Sequence, residues 1–90
     1  MLLAPGNAIT FLATDTINFS WETVLNAENY TIQIATPDFV NAIEIIENEI
    51  ITTTSFSVSN LEANNYQWRV KAQNIDYETT YTTQSFTVEE

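Results

Sequence analysis

Tyr66-Gln67-Trp68-Arg69-Val70-Lys71-Ala72 is a stretch in which large or apolar side chains alternate strictly with polar ones. Successive side chains of a β-strand point to opposite faces, so this pattern predicts a strand with one dry face and one wet face. The wet face carries both cations of the chain, Arg69 and Lys71. We expect acidic side chains of neighbouring strands to lie across from them, with Glu44 the first candidate. We interpret the stretch as the central strand of a β-sandwich.

Shorter alternating segments flank this strand on both sides. The other predicted strands are residues 8–11, 16–21, 30–35, 42–46, 52–59 and 81–88. About seven short strands, with turn residues between them and without a long helix, indicate an all-β fold of two packed antiparallel sheets.

Residues 40–51 admit two interpretations. A helical face would be formed by apolar residues spaced three and four apart, which are Val40, Ile43, Ile46 and Ile50. Against a helix, β-branched side chains dominate and no C-cap residue follows. We therefore predict a strand at 42–46, a turn near Glu47-Asn48 and a new strand from about Ile50, with the helix as the alternative.

Single residues are expected to shape the connections. Asn26 is predicted to adopt a left-handed conformation, which Asn tolerates well and which matters because the chain has only one Gly. Pro37 is predicted at the second position of a turn, after which Phe39 folds back to cover the bottom of the core. Leu61, ahead of the central strand, is expected to plug the core.

Composition excludes several kinds of chemistry. The 90 residues include no Cys and no His, so disulfides, thiol nucleophiles and imidazole-based catalysis or metal binding are ruled out. Twelve acidic and two basic side chains give a net charge of −10, which repels nucleic acid and anionic lipid. No run approaches the roughly 18 apolar residues of a membrane helix. We predict a monomer with no cofactor, no nucleic-acid partner and no membrane insertion.

A family likeness rests on four residues in order. Trp21 lies on an early strand, Tyr30 opens the next, and Leu61 precedes Tyr66 at the start of the central strand. Their order and spacing resemble those of a fibronectin type III domain. In that family the Trp and the first Tyr are core neighbours, and the Leu and the second Tyr form a corner where a buried phenol bonds to the backbone. The resemblance implies that Tyr66 is this corner tyrosine.

A finer likeness rests on the central strand together with Phe19-Ser20-Trp21-Glu22 and Gln33-Ile34-Ala35-Thr36. This combination looks like the variant found in bacterial secreted and cell-surface proteins. It implies an extracellular or cell-surface location. The length of the chain predicts a single domain, residues 1–90, and because Met1-Leu2-Leu3-Ala4 is too short for a signal peptide we expect this domain to be excised from a larger protein. The connection into Tyr66 departs from the usual animal form, because it is shorter and lacks a Pro and a Gly. No Arg-Gly-Asp tripeptide is present, so integrin binding is not implied.

The resemblance also implies a topology. Strands A (extended from Leu2 and resumed at 8–11), B (16–21) and E (52–59) would form one sheet. Strands C (30–35), C′ (42–46), F (66–73) and G (81–88) would form the other. The B–C loop (22–28) and the F–G loop (74–79) would then meet at one end. Acidic side chains are expected there, namely Glu22, Glu28, Asp76 and Glu78. The regular spacing of a calcium loop is missing, so solvated loops are the favoured interpretation over a calcium site.

Exposed aromatic side chains would mark a binding surface. Tyr77 in the F–G loop is the aromatic residue expected to be exposed. Tyr81 has the opposite parity to Phe86, so a bulge must separate them if both are buried. Tyr77, Asp76 and Tyr81 are therefore the candidate binding residues, and we assign no catalytic or metal-binding residue.

Two classes of function follow. The first is a non-catalytic spacer or protein-interaction module, whose partners are neighbouring domains of the same chain or another surface protein. The second is a carbohydrate- or ligand-binding module that uses the B–C and F–G loops. Enzymatic activity is the least favoured, because nothing marks two carboxylates as a catalytic pair.

Overall fold

In the computed structural model, which describes residues 2–90, eight β-strands form two sheets. The strands are β1 (Leu2–Ala4), β2 (Ile9–Leu12), β3 (Thr16–Trp21), β4 (Asn29–Thr36), β5 (Glu44–Ile51), β6 (Ser55–Ser59), β7 (Asn64–Gln73) and β8 (Thr82–Glu89). One sheet has the order β1-β3-β6, and the other has the order β2-β8-β7-β4-β5. Residues 2–90 contain no helix, so the helical alternative for 40–51 is wrong. It follows that these residues include no helix long and apolar enough to span a membrane.

The stretch around Trp68 forms the middle of the five-stranded sheet. β7 lies between β4 and β8 and is the longest strand. Its alternation matches the prediction, because Trp68 and Val70 are fully buried whereas Arg69 and Lys71 remain partly exposed on the other face. The central strand is therefore confirmed.

Aromatic rings from both sheets fill the core. The Trp68 ring lies 4.9 Å from that of Phe19 and 6.5 Å from that of Trp21, measured between centroids. The Trp21 ring in turn lies 5.8 Å from that of Tyr30. Pairs of this geometry add about 0.5–1.5 kcal/mol each beyond the burial of their area. Trp21, Tyr30, Tyr66 and Trp68 are at most 3% exposed, as predicted.

The corner before β7 is built as the family likeness implies. The Tyr66 hydroxyl donates a hydrogen bond to the Glu62 carbonyl oxygen at 2.6 Å. Leu61 is buried against the core, as expected. Burial, and then the negative charges of Glu62 and Glu44, raise the pKa of Tyr66 above its usual 10.0. The phenol therefore keeps the proton that it donates to the backbone.

The start of the chain corrects the predicted sheet assignment. Strand A was expected beside β3, extended from Leu2 and resumed at 8–11. Its first part, β1, does pair with β3, but β2 joins the other sheet and runs parallel to β8, with Ile9 opposite Phe86. Ala8 makes this switch possible with a φ of 63°, and its amide donates to the Ser85 carbonyl oxygen at 2.8 Å. Phe11 then packs edge-on against Phe86, with centroids 6.0 Å apart. This contact lies far away in sequence, so local alternation does not reveal it.

A second correction concerns β5. The turn predicted near Glu47-Asn48 is wrong, because both residues lie inside one continuous strand, opposite Ile34 and Gln33 of β4. The side chain of Asn48 accepts a hydrogen bond from the Gln33 amide at 3.1 Å, which ties it into the sheet. The chain turns instead at 52–54, which shortens strand E to β6. Pairing with β4 thus outweighs the turn preference of Asn.

The corner hydrogen bond gives a first testable prediction. Tyr66→Phe removes the donor and leaves the Glu62 carbonyl oxygen without it, so the free energy of unfolding should fall by about 1 kcal/mol. Urea denaturation measures the change, with the slope unaltered. Tyr77→Phe, which alters an exposed ring, is the matched control and should stay within about 0.5 kcal/mol. Equal stability of the Tyr66→Phe variant and the unaltered protein would contradict the role of the bond.

The same variant should differ in alkaline solution. The raised pKa means that the folded protein keeps the Tyr66 proton at a pH at which the unfolded chain has lost it. This contribution is complete below the unfolded pKa and is lost as the pH rises above about 10, towards the folded pKa. Tyr66→Phe should therefore lose less stability than the unaltered protein over that range. An equal loss of stability in both proteins over this pH range would contradict the prediction.

Candidate functional site

The B–C and F–G loops meet at one end of the sandwich, as predicted. The Asn74 side-chain amide donates to the Asn26 carbonyl oxygen at 3.1 Å. The Ile75 amide donates to a Glu28 carboxylate oxygen at 2.7 Å. Asn26 has the expected left-handed backbone, with a φ of 66°. The two loops therefore form one surface.

The F–G loop, which spans 74–81, is folded around the Asn74 side chain. Its carbonyl oxygen accepts hydrogen bonds from the amides of Asp76 at 2.8 Å and Tyr77 at 3.0 Å. The Asn74 backbone amide donates to the Tyr77 backbone carbonyl oxygen at 2.9 Å, which closes the turn. Asn side chains stabilise turns in this way. The loop is thus ordered by its own side chain.

Tyr77 lies at the surface of this end, as predicted. Its side chain is 60% exposed, and the neighbouring Leu25 and Ile75 are 84% and 91% exposed. Beneath Tyr77 and Leu25 lies an apolar cavity of about 10 Å³, which is no larger than a water molecule. The loops therefore present apolar side chains on a surface, above a cavity too small for a sugar ring.

Two acidic side chains of this end, Glu28 and Glu78, have local partners. Glu28 accepts the Ile75 amide, and Glu78 forms an ion pair with Lys71 at 3.0 Å. Within residues 2–90, no group of three or more Asp or Glu side chains lies close enough to hold a metal ion.

Tyr81 lies on the outer face of the five-stranded sheet and stacks on Arg69. The guanidinium carbon of Arg69 lies 4.0 Å from the Phe39 ring centroid and 4.2 Å from that of Tyr81. The Arg69 Nε donates to the Gln33 side-chain oxygen at 2.8 Å. The Lys71 ammonium lies 5.2 Å from the Tyr81 ring. Tyr81 thus faces away from Phe86, and its opposite parity requires no bulge.

Two predicted contacts are corrected by this stack. Phe39 does not cover the bottom of the core, because its ring lies over Arg69 and its amide donates to the Gln67 side-chain oxygen at 3.1 Å. The ion-pair partner of Lys71 is Glu78 rather than Glu44, which lies instead near Tyr66. The stack of Phe39, Arg69 and Tyr81 was not predicted from the sequence. The feature that could have indicated it is an Arg on the wet face of a central strand, because such a guanidinium attracts aromatic rings.

An open groove of about 240 Å³ lies at the opposite end of the sandwich, between Glu44, Leu61, Glu62 and Tyr66. The Tyr66 hydroxyl is engaged with the backbone and holds its proton. The groove therefore presents a neutral phenol and two carboxylates and contains no activated nucleophile.

These features define a fibronectin type III-like β-sandwich, in which a corner tyrosine precedes the central strand and two loops meet at one end. In structure the chain is similar to a Fn3-like protein from Clostridium thermocellum, with a TM-score of 0.64 and 18% sequence identity. The likeness covers 94% of this chain and 90% of that one. No protein-family model matches the chain, and a search of curated proteins found no significant match.

The stack of Phe39, Arg69 and Tyr81 gives the third prediction. Arg69→Ala removes two cation–π contacts and one hydrogen bond of a charged donor, so the free energy of unfolding should fall by about 1–2 kcal/mol. Lys71→Ala is the comparison variant: it removes only the longer contact to the Tyr81 ring, at 5.2 Å, and an ion pair that solvent screens because Glu78 is largely exposed, so it should cost less, about 0.5 kcal/mol. Urea denaturation compares the two, and an equal cost would contradict the stack.

Proposed function

We propose that the chain is a non-catalytic spacer or protein-interaction module of a larger extracellular or cell-surface protein. The observation that carries this proposal is the position of the two ends of the chain. β1 starts with Leu2 opposite Trp21, beside the B–C loop. β8 ends at the other extreme, where Val88 lies opposite Asn64 at the start of β7. A chain that enters at one end and leaves at the other separates whatever is attached on either side.

The dimensions suit this role. The body measures 42 × 24 × 18 Å. The ten residues of β7 alone span about 33 Å, at 3.3 Å per residue. Because the aromatic core joins the two sheets, the length between the ends is set by folded strands rather than by a flexible linker. Each such domain would add a fixed distance, and its partners would be the neighbouring domains of the chain or another surface protein.

The non-catalytic part of the proposal is supported by the side chains available. The sequence has no Cys and no His. Two of the carboxylates at the loop end are engaged, since Glu78 pairs with Lys71 and Glu28 accepts a backbone amide. The extracellular location is supported by the resemblance of the sequence to bacterial secreted and cell-surface proteins.

Scattering from the parent protein tests the spacer role. Deletion of residues 2–89 should shorten the maximum dimension of the full-length protein by about 42 Å, measured by small-angle X-ray scattering. A matched control replaces the domain with a flexible Gly/Ser linker of equal residue number. This linker should broaden the distribution of distances within the protein, because it does not hold the flanking parts at a fixed separation. An unchanged maximum dimension after deletion would show that the domain does not hold its neighbours apart.

Carbohydrate or ligand binding at the loop end is the second candidate. The observation in its favour is the exposure of Leu25, Ile75 and Tyr77 on ordered loops, because aromatic and aliphatic side chains held in place are suitable anchors for sugar rings or protein surfaces. Asp76 lies in the same loop and could accept hydrogen bonds from hydroxyl groups. Tyr81 would take part only if the ligand extended onto the outer sheet face.

Replacement of the exposed ring tests this candidate. If a glycan array detects binding, Tyr77→Ala should reduce it at least about tenfold, as expected for an aromatic anchor. Tyr77→Phe keeps the ring and should retain most of the affinity. Binding that survives Tyr77→Ala unchanged, or a complete lack of binding on the array, would count against the loop end as a carbohydrate site.

A further inference from the structure

The longest free edge of the sandwich belongs to β5. This strand has eight residues and is hydrogen-bonded to β4 on one side only, so the backbone groups of its other side face solvent. The other edge strands, β1, β2 and β6, have three, four and five residues. An unpaired edge is a template for the addition of another strand. β5 is thus the part of the backbone best suited to pair with another chain.

The two faces of β5 carry different side chains. Glu47 and Glu49 lie opposite Ile34 and Ile32, whose side chains point into the core, so the two carboxylates line the core side of the edge. On the outer face Ile50 is 66% exposed. Side chains of a strand alternate between its faces, so the core side of this edge is acidic at Glu47 and Glu49, and the outer side carries the polar Asn48 and the apolar Ile50.

The bulge at Ile46 limits the length that can be paired. β4 skips this residue, because Ile34 lies opposite Glu47 and the next residue, Ala35, lies opposite Ile45. Bulges interrupt the regular ladder of an edge strand. An added strand would therefore align with residues 47–51, where the pairing of β5 with β4 is regular.

Neither cation of the chain neutralises these carboxylates. Lys71 is paired with Glu78, and Arg69 is held between Phe39 and Tyr81. A second copy of the chain would bring its own charge of −10 and would place Glu next to Glu along the edge. Like charges directly opposite each other destabilise a strand pair. The charge of the edge thus disfavours a homodimer and favours a cationic partner.

We propose that β5 pairs, along residues 47–51, with an extended segment of another protein in which Lys or Arg alternates with β-branched apolar residues. The basic side chains would lie beside Glu47 and Glu49, and the apolar side chains would lie beside Ile50. This proposal names a partner class for the protein-interaction role proposed above and rests on it. The surface is separate from the B–C and F–G loops.

A peptide of defined sequence tests the proposal. The probe is a fluorescein-labelled octapeptide of alternating Lys and Val with blocked ends, measured by fluorescence anisotropy. We expect binding to the unaltered protein and slower hydrogen exchange at the amides of 47–51 in the complex. The same peptide with Glu in place of Lys should not bind. The Lys/Val peptide N-methylated at every residue keeps its charge but cannot donate backbone hydrogen bonds, so it should not bind either.

Matched variants locate the surface. Glu47→Gln combined with Glu49→Gln should weaken binding of the Lys/Val peptide roughly fivefold, as expected for the loss of two cross-strand charge pairs. Glu89→Gln combined with Glu90→Gln removes the same charge at the end of β8, which β7 and β4 separate from β5, and should leave the affinity within about twofold. Circular dichroism checks that both variants remain folded.

Several results would overturn the proposal. One is that the N-methylated peptide binds as tightly as the Lys/Val peptide, and another is that the Glu89 and Glu90 variant loses as much affinity as the Glu47 and Glu49 variant. Either result would mean that binding depends only on general charge attraction. No binding of the Lys/Val peptide, or a dimer with protected amides at 47–51 in its absence, would show that the edge does not take a cationic strand. None of these results bears on the spacer role, which the scattering measurement tests separately.

Discussion

The packing of the Trp68 ring against the opposite sheet is the contact on which the rest of the structure depends. Trp68 lies in the middle of the central strand and touches Phe19 and Trp21, which come from the other sheet. The chain has no disulfide and no metal ligand of the Cys or His type, so this aromatic layer must join the two sheets. The fixed length between the chain ends, on which the proposed spacer role depends, follows from it.

The strands with one dry and one wet face were predictable from the sequence. Alternation determines which side of a strand is buried, and it located β3, β4, β7 and β8 with their inward residues. The corner at Tyr66 was also found, because a buried phenol needs a partner near the end of a loop. These predictions needed only local sequence and one family likeness.

The predictions that failed depended on contacts between distant residues. β2 belongs to the other sheet, where Phe11 packs against Phe86. Glu47 and Asn48 are extended because they pair with β4. The Phe39 ring packs on the Arg69 guanidinium instead of covering the core. At the loop end, the meeting of the two loops and the exposure of Tyr77 were predicted, but the position of Tyr81 over Arg69 was not.

The accessibility of the two Trp side chains tests the account most directly. Trp21 and Trp68 are the only Trp residues of the chain, and they are 2% and 0% exposed. Acrylamide should therefore quench the fluorescence of the native protein only weakly, and quenching should rise in a single step together with urea unfolding. Native fluorescence that is quenched as readily as that of the unfolded chain would mean that the aromatic layer does not exist as described.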